Sequence, residues 1–196
     1  EMQTNWIGKS SGAEIDFTVC DTAHSLRVYT TRPDTIFGVD FMVIAPEHAL
    51  VAALTTAEQQ KTVEEYVAWV KSRSERERMA EKKISGVFTG SYAQHPFDAN
   101  RKIPIWIAEY VLAGYGTGAI MGVPCGDERD HRFAKHFSLP ITNIIGDLYT
   151  GEDAVTTKDA SLTNSGFLNG IRMQEAIEVA IRAIEDKGIG TRKVNY

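Results

Sequence analysis

Alternating apolar and polar positions mark the strands of this chain. Ile15, Phe17 and Val19 recur at every second position, which predicts a β-strand with one buried face. A continuous apolar run at 39–45 is typical of a strand that is buried on both faces. The predicted strands are residues 14–20, 26–30, 39–45, 87–92, 103–107, 110–113 and 139–145.

Two segments instead place apolar residues three and four positions apart, which is the period of an α-helix. The first follows residues 56–59, whose Thr-Ala-Glu-Gln sequence is typical of a capping box. The second covers 172–187, and Gly188 stands where a left-handed helix cap belongs. The apolar positions are Val63, Tyr66, Val67 and Val70 in the first helix and Met173, Ile177, Ala180, Ile181 and Ile184 in the second.

Many short strands with few helices predict an α+β fold. We expect a mostly antiparallel or mixed β-barrel core, closed or half-closed, with peripheral α-helices. The sequence contains no internal repeat, low-complexity tract or clear linker, so residues 1–196 are predicted to form a single domain. Residue 1 is not Met and the last residues read as a strand, so we also expect a piece of a longer protein.

Composition argues against several classes of protein. Lys and Arg total 21 against 26 Asp and Glu, and a net charge of −5 is unlike that of a free-standing nucleic-acid binder. Cys20 and Cys125 form neither a disulfide framework nor a zinc pattern, and suit a reducing compartment. The chain has no apolar run near the ~20 residues that span a bilayer. We therefore expect a cytoplasmic protein without membrane contact that is monomeric in isolation.

Charged residues of both signs fill residues 71–83. Because Glu alternates with Arg there, a solvated helix face is favoured over a basic arm for RNA.

The sequence TTRPDT at residues 30–35 concentrates chemically useful groups after a strand. Threonines in this position are commonly explained by strand propensity and turn formation. Here Pro33 fixes the backbone, and hydroxyl groups on a stiff turn can orient a water molecule or line a pocket wall.

A second segment joins a glycine-rich stretch, YGTGAIMGVP at 115–124, to a pair of aspartates. Asp127 and Asp130 stand where a helix is predicted to begin, and their spacing fits a capping box. One carboxylate can instead bind an ammonium group in a cleft, and the two roles are compatible. Gly116 and Gly118 are a weak phosphate-loop signal, because the lysine of a P-loop is missing.

The residues alone leave two other kinds of site possible, a cysteine hydrolase site and a metal site. Cys125 before the helix start, with His131, suggests a cysteine hydrolase, but nothing identifies a residue that orients His131. Asp127 and His131 lie four positions apart and can share a metal ion, although two ligands do not make a site.

Together the two segments resemble the editing domain of leucyl-tRNA synthetases. TTRPDT resembles its threonine-rich motif, and 116–124 with Asp127, Arg129 and Asp130 resembles its second motif. The sibling isoleucyl and valyl editing domains differ within both motifs. The ends of the chain resemble the junctions with the aminoacylation domain, so residues 1–12 and 190–196 are expected to be junction strands. The resemblance therefore covers essentially the whole chain. It departs from the commonest leucyl pattern at 125–126, where Cys-Gly replaces Gly-His.

The resemblance implies hydrolysis of tRNA(Leu) mischarged with norvaline, isoleucine or methionine, with leucine excluded. A second pocket is needed because one methylene in an apolar pocket is worth only ~1–3 kcal/mol. The implied partners are the aminoacylated 3′ end of tRNA(Leu) and the remainder of the parent synthetase. Neither a metal nor an organic cofactor is implied.

The resemblance also implies roles for single residues. Asp130 would bind the α-ammonium group of the substrate with support from Asp127. Thr30 and Thr31 would hold the attacking water and stabilise the tetrahedral intermediate, while Thr35 would reject the branched side chain of leucine. The other implied contacts to the amino acid or the terminal nucleotide are Arg32, Met121, Val123, Tyr115, Gly116, Thr117, Gly118 and Arg129.

Three alternatives remain at this point. The chain can be an isoleucyl or valyl editing domain, or a catalytically silent module that docks tRNA. It can also be a domain whose aspartates only cap a helix.

Overall fold

A computed structural model of the chain describes residues 10–80 and 83–195. The strands are β1 (Ser10–Thr18), β2 (Ser25–Thr30), β3 (Phe41–Ile44), β4 (Val87–Gln94), β5 (Lys102–Ile107), β6 (Ala119–Gly122) and β7 (Gly190–Asn195). The α-helices are α1 (Val51–Leu54), α2 (Gln60–Lys71), α3 (Glu75–Ala80), α4 (Glu128–His136) and α5 (Met173–Asp186). Short 3-10 turns include Pro33–Gly38, Ala57–Gln59, Gly146–Leu148 and Gly166–Leu168.

Within the described residues the strands form two sheets. The order β2-β1-β7 makes an antiparallel three-stranded sheet. The order β4-β5-β3-β6 makes a mixed sheet, in which β3 runs parallel to β5 and antiparallel to β6. These sheets and the surrounding helices confirm the α+β class and the mixed pairing.

The two sheets meet at their edges. Val19 at the end of β1 bridges to Ala93 in β4, and the hydroxyl of Thr117 donates to the carbonyl of Arg27 in β2 at 2.7 Å. The junction at Thr117 is thus made by a side chain and not by a ladder of main-chain hydrogen bonds. The described residues therefore form no closed barrel, and their core lies between two joined sheets.

The core follows the predicted pattern of apolar positions. Ile15, Phe17 and Val19 are fully buried, as are all four residues of β3. Helix α5 buries its apolar stripe, and Gly188 after it has φ +73°, which confirms the left-handed cap. None of the described helices is long and apolar enough to cross a membrane.

Two predicted strands are wrong. Residues 110–113 form turns, and residues 139–145 form an extended segment outside both sheets. In that segment the amide of Thr142 donates to Asp40 at 2.7 Å and the amide of Ile145 donates to Asn143 at 2.9 Å. Side chains satisfy these amides, so the segment needs no ladder partner, and Ile144 and Ile145 at its end are buried.

Two smaller predictions also differ from the structure. Thr56 makes no side-chain cap, and a 3-10 turn precedes α2 instead. Most described residues of the charged segment are exposed, as predicted, but Arg78 is an exception at 8% exposure. Residues 10–12 of β1 pair with β7, whereas the predicted junction residues 1–9 and 196 lie outside the described residues.

Candidate active site

The threonine-rich segment folds into a stiff turn at the end of β2. Thr30 accepts a hydrogen bond from the amide of Arg32 at 2.9 Å, and Thr35 donates its hydroxyl proton to the carbonyl of Arg32 at 2.8 Å. Pro33 begins the 3-10 turn, where its fixed φ suits the backbone. Gly12 of β1 lies so close that a Cβ atom there would stand 2.2 Å from the carbonyl oxygen of Thr30. The turn therefore holds its side chains in fixed positions.

Arg32 is part of the support of this turn. Its Nε and Nη2 donate to the two carboxylate oxygens of Asp34 at 3.1 and 2.9 Å. Asp34 is fully buried, and such a bidentate pair is both strong and directional. Nη2 also lies 3.3 Å from the sulfur of Met173 in α5, which ties the turn to that helix.

The acidic segment begins helix α4. Asp127 is the N-cap, and its side chain accepts from the amide of Asp130 at 2.9 Å. The reciprocal half of a capping box is absent from the described contacts, because the amide of Asp127 donates to the carbonyl of Val123. Asp130 instead accepts from the hydroxyl of Tyr110 at 2.9 Å and from the amide of Val123 at 3.0 Å. Asp127 thus starts the helix. Its cap uses the amide of Asp130 and leaves the Asp130 carboxylate to other partners.

These two segments line one cavity of about 300 Å³, a volume in the range of small-ligand sites. The predicted site residues on its wall are Thr30, Thr31, Arg32, Thr35, Tyr115, Met121, Val123, Asp127, Arg129 and Asp130. The wall therefore combines hydroxyl groups, carboxylates and apolar side chains.

Asp130 has the most perturbed carboxylate of the site. It is 5% exposed, and burial, reinforced by the charge of Asp127, raises its pKa to about 7. The amide of Val123, the hydroxyl of Tyr110 and the charge of Arg129 act in the opposite direction. A cation bound beside Asp130 would favour the ionised form of this carboxylate.

Cys125 also lines the cavity, but its surroundings do not favour a nucleophile. Burial raises the pKa of its thiol, and its sulfur lies 3.9 Å from Asn143. Nε2 of His131 is hydrogen-bonded to the hydroxyl of Tyr149 at 3.0 Å. The described contacts thus give no cysteine–histidine pair. Across residues 10–80 and 83–195, no group of three or more His, Cys, Asp or Glu residues could hold a metal ion.

Three predicted site residues do not line the cavity: Gly116, Thr117 and Gly118. They form the turn that carries Tyr115, and both glycines have positive φ, at +61° and +75°. These left-handed conformations explain the glycines without a bound phosphate. Tyr115 itself lies on the cavity wall and is 79% exposed.

Sequence reasoning missed part of the wall. The further lining residues are Tyr29, Ile120, Cys125, Gly126, Ile144, Ile145, Val155, Thr157 and Met173. Ile144 and Ile145 lie in the apolar run 139–145, which signals their burial, although the run itself predicts a strand. Tyr110 is absent from the prediction because nothing local relates it to Asp130.

Comparison with known proteins identifies the family. The family model for the editing domain of leucyl-tRNA synthetase matches residues 4–185. The leucine–tRNA ligases of Christiangramia forsetii and Flavobacterium johnsoniae are 52% and 53% identical over the whole chain, which spans about a fifth of their length. The fold is also similar to the LeuRS of Agrobacterium radiobacter, solved in a ternary complex with tRNA and LeuAMS. That structure has a TM-score of 0.73 and 32% identity, and the match covers 100% of this chain and 21% of the other. The chain therefore belongs to the editing domains of the leucyl-tRNA synthetases, and not to the sibling isoleucyl or valyl families.

Proposed function

We propose that this chain hydrolyses the aminoacyl ester of mischarged tRNA(Leu) as the editing domain of a cytoplasmic synthetase. The observation that carries the proposal is the single cavity between the threonine turn and the buried carboxylate of Asp130. Its partners are the aminoacylated 3′ end of tRNA(Leu) and the rest of the synthetase. A structural relative in complex with tRNA supports the nucleic-acid partner.

Binding of the amino acid uses the acidic side of the cavity. The carboxylate of Asp130 accepts hydrogen bonds from the α-ammonium group, and the charge of Asp127 adds to the attraction. The side chains of Met121 and Val123 contact the amino acid. Tyr115 and Arg129 hold the terminal adenosine and its phosphate, since both lie on the wall and are exposed.

Hydrolysis uses the threonine side. In the described residues the hydroxyl of Thr31 makes no hydrogen bond, and that of Thr30 accepts only from Arg32, so both can hold a water molecule. The water oxygen attacks the ester carbonyl and the bond to the ribose oxygen breaks. One proton of that water ends on the ribose oxygen, which leaves the free amino acid and the uncharged tRNA. Placement of the water and of opposing charge supplies the catalysis.

The test is deacylation by the purified chain at high concentration. We expect release of norvaline, isoleucine and methionine from tRNA(Leu) above the buffer rate, while leucyl-tRNA(Leu) stays intact. The variant Asp130→Asn should lose activity. The matched control Glu128→Gln should keep it, because Glu128 is exposed on the same helix turn and lies outside the cavity wall. Absence of deacylation with all three substrates would instead support a silent tRNA-docking module. Full activity of Asp130→Asn would contradict the proposal that this cavity is the site of hydrolysis.

A further inference from the structure

Both oxygens of the buried Asp130 carboxylate are held by hydrogen-bond donors. The hydroxyl of Tyr110 lies 2.9 Å from Oδ1, and the amide of Val123 lies 3.0 Å from Oδ2. Two donors to separate oxygens fix the plane of the carboxylate as well as its position. The donor of Val123 is its backbone amide, which any residue except proline would provide. The hydroxyl of Tyr110 is therefore the donor that depends on the side chain.

Tyr110 is not on the wall of the active-site cavity. It lines a neighbouring cleft of about 490 Å³, together with Arg78, Met79 and Phe133, and reaches Asp130 from that side. A substrate in the active-site cavity would therefore meet Asp130 and not Tyr110. The tyrosine hydroxyl can therefore act on hydrolysis through the carboxylate. The ring also lies 5.4 Å from the guanidinium carbon of Arg129, a contact that phenylalanine would keep.

The segment that carries Tyr110 is anchored on both sides. Arg78 of α3 donates to the carbonyls of Glu109 and Val111, at 2.8 and 3.3 Å, and is itself 8% exposed. The amide of Glu109 donates to the hydroxyl of Tyr66 in α2 at 2.9 Å. A buried arginine that bonds the residues before and after Tyr110 leaves the phenol little freedom.

We propose that Tyr110 is a positioning residue for editing, whose hydroxyl orients the Asp130 carboxylate and keeps it ready to accept the ammonium group of the substrate. This inference rests on the proposed function of the cavity. It adds a specific residue, twenty positions before Asp130, that is outside the two sequence motifs.

The charges around Asp130 determine in which direction loss of the Tyr110 hydroxyl shifts the pKa of Asp130. Asp127 and Arg129 act on it from the start of its own helix, and Tyr110 from the 108–114 segment. Cys125 and Arg32 line the same cavity, and Arg32 is paired with Asp34. The hydrogen bond from Tyr110 lowers the pKa of Asp130, against burial and Asp127, which raise it. Loss of the hydroxyl therefore raises that pKa and leaves less ionised carboxylate at neutral pH.

The test is Tyr110→Phe, which removes the hydroxyl and keeps the ring. We expect kcat/KM for isoleucyl-tRNA(Leu) at pH 7 to fall about tenfold, the cost of one hydrogen bond to a charged group. The acidic limb of the pH profile should move upward by at least about half a pH unit. The control is Tyr149→Phe, because that hydroxyl contacts His131 on the same helix and not Asp130. It should leave both values unchanged.

A second substrate separates positioning from general loss of structure. An ester of the matching α-hydroxy acid on tRNA(Leu) lacks the ammonium group, so its turnover should not depend on Tyr110. Equal losses on both esters would overturn the inference, and so would an unshifted pH profile on the amino ester. If Tyr110→Phe does not fold, 3-fluorotyrosine at position 110 keeps the ring and strengthens the donor. The acidic limb should then move downward, and an unmoved limb contradicts the proposal. A wild-type chain that cannot deacylate isoleucyl-tRNA(Leu) would instead show that the proposed function itself has failed.

Discussion

At the scale of single residues, Asp130 combines burial with a charge that the proposed reaction needs. Its ordinary pKa of 3.8 rises to about 7 in the folded chain, mainly because of burial. The unfolded chain therefore gives up this proton more readily than the folded chain between pH 4 and 7. Folding stability from this group falls as the pH rises through that window and remains lower above it.

Asp130→Asn should consequently stabilise the chain above pH 7. An asparagine can accept from the amide of Val123 and donate to the hydroxyl oxygen of Tyr110, so it keeps a hydrogen bond to each partner. We expect a gain of about 1–3 kcal/mol in the free energy of unfolding at pH 8, and little difference at pH 4. Urea titrations at both pH values measure it. A variant that is less stable than the parent at pH 8 would contradict the burial cost assigned to this carboxylate.

The contacts of Thr35 indicate how this residue could exclude leucine. Because its hydroxyl is committed to the carbonyl of Arg32, we expect it to exclude leucine by its bulk rather than by hydrogen bonding. Thr35→Ala should let the chain hydrolyse correctly charged leucyl-tRNA(Leu), with a gain of about tenfold or more over the parent. Thr35→Val keeps the bulk and should still spare leucine. Leucyl-tRNA(Leu) that survives with Thr35→Ala would show that another residue forms the wall.

At the scale of the element, the start of α4 performs two functions with two aspartates. Asp127 caps the helix by accepting from the amide of Asp130, and its charge raises the pKa of that neighbour. Asparagine caps about as well as aspartate, whereas alanine costs about 1 kcal/mol. The cap and the charge can therefore be separated by substitution.

Asp127→Asn should keep the thermal stability and lower the pKa of Asp130. The acidic limb of the deacylation profile should move downward, opposite to the shift expected for Tyr110→Phe. Asp127→Ala removes the charge as well and should shift the limb in the same direction, with an added loss of about 1 kcal/mol in stability. The pH dependence of kcat/KM and the unfolding curves test both. An upward shift in Asp127→Asn would mean that Asp127 does not act on Asp130 through its charge.

At the scale of the whole molecule, charge limits what the chain does alone. The net charge is −5, and the chain spans about a fifth of the length of its curated relatives. Because phosphate contacts by Lys and Arg dominate nucleic-acid affinity, we expect most of the attraction for the proposed tRNA partner to come from residues outside this chain.

We therefore expect the isolated chain to bind tRNA(Leu) with a dissociation constant above about 10 µM at 150 mM salt. Deacylation rates should rise linearly with tRNA concentration over the accessible range. Fluorescence titration at several salt concentrations measures the affinity, with a full-length synthetase as the control. Submicromolar binding by the isolated chain would contradict this expectation.

The sequence by itself determined the features that depend on neighbours along the chain. Alternation in β1, the apolar run of β3, the stripe of α5 and the cap at Asp127 are each encoded in the order of residues within one short segment. The two motifs were also recognisable, since their residue types are unusual at that spacing. Such local patterns are set by backbone geometry and need no knowledge of the fold.

Only the tertiary structure decided how distant residues meet. Residues 110–113 and 139–145 are apolar enough for strands, but Arg78 and Asp40 satisfy backbone groups in or beside them with side chains. The charge state of Asp130 likewise depends on Tyr110 and on exclusion of water, neither of which has a local signature. Burial and long-range hydrogen bonds act through space, so these properties exist only once the chain has folded.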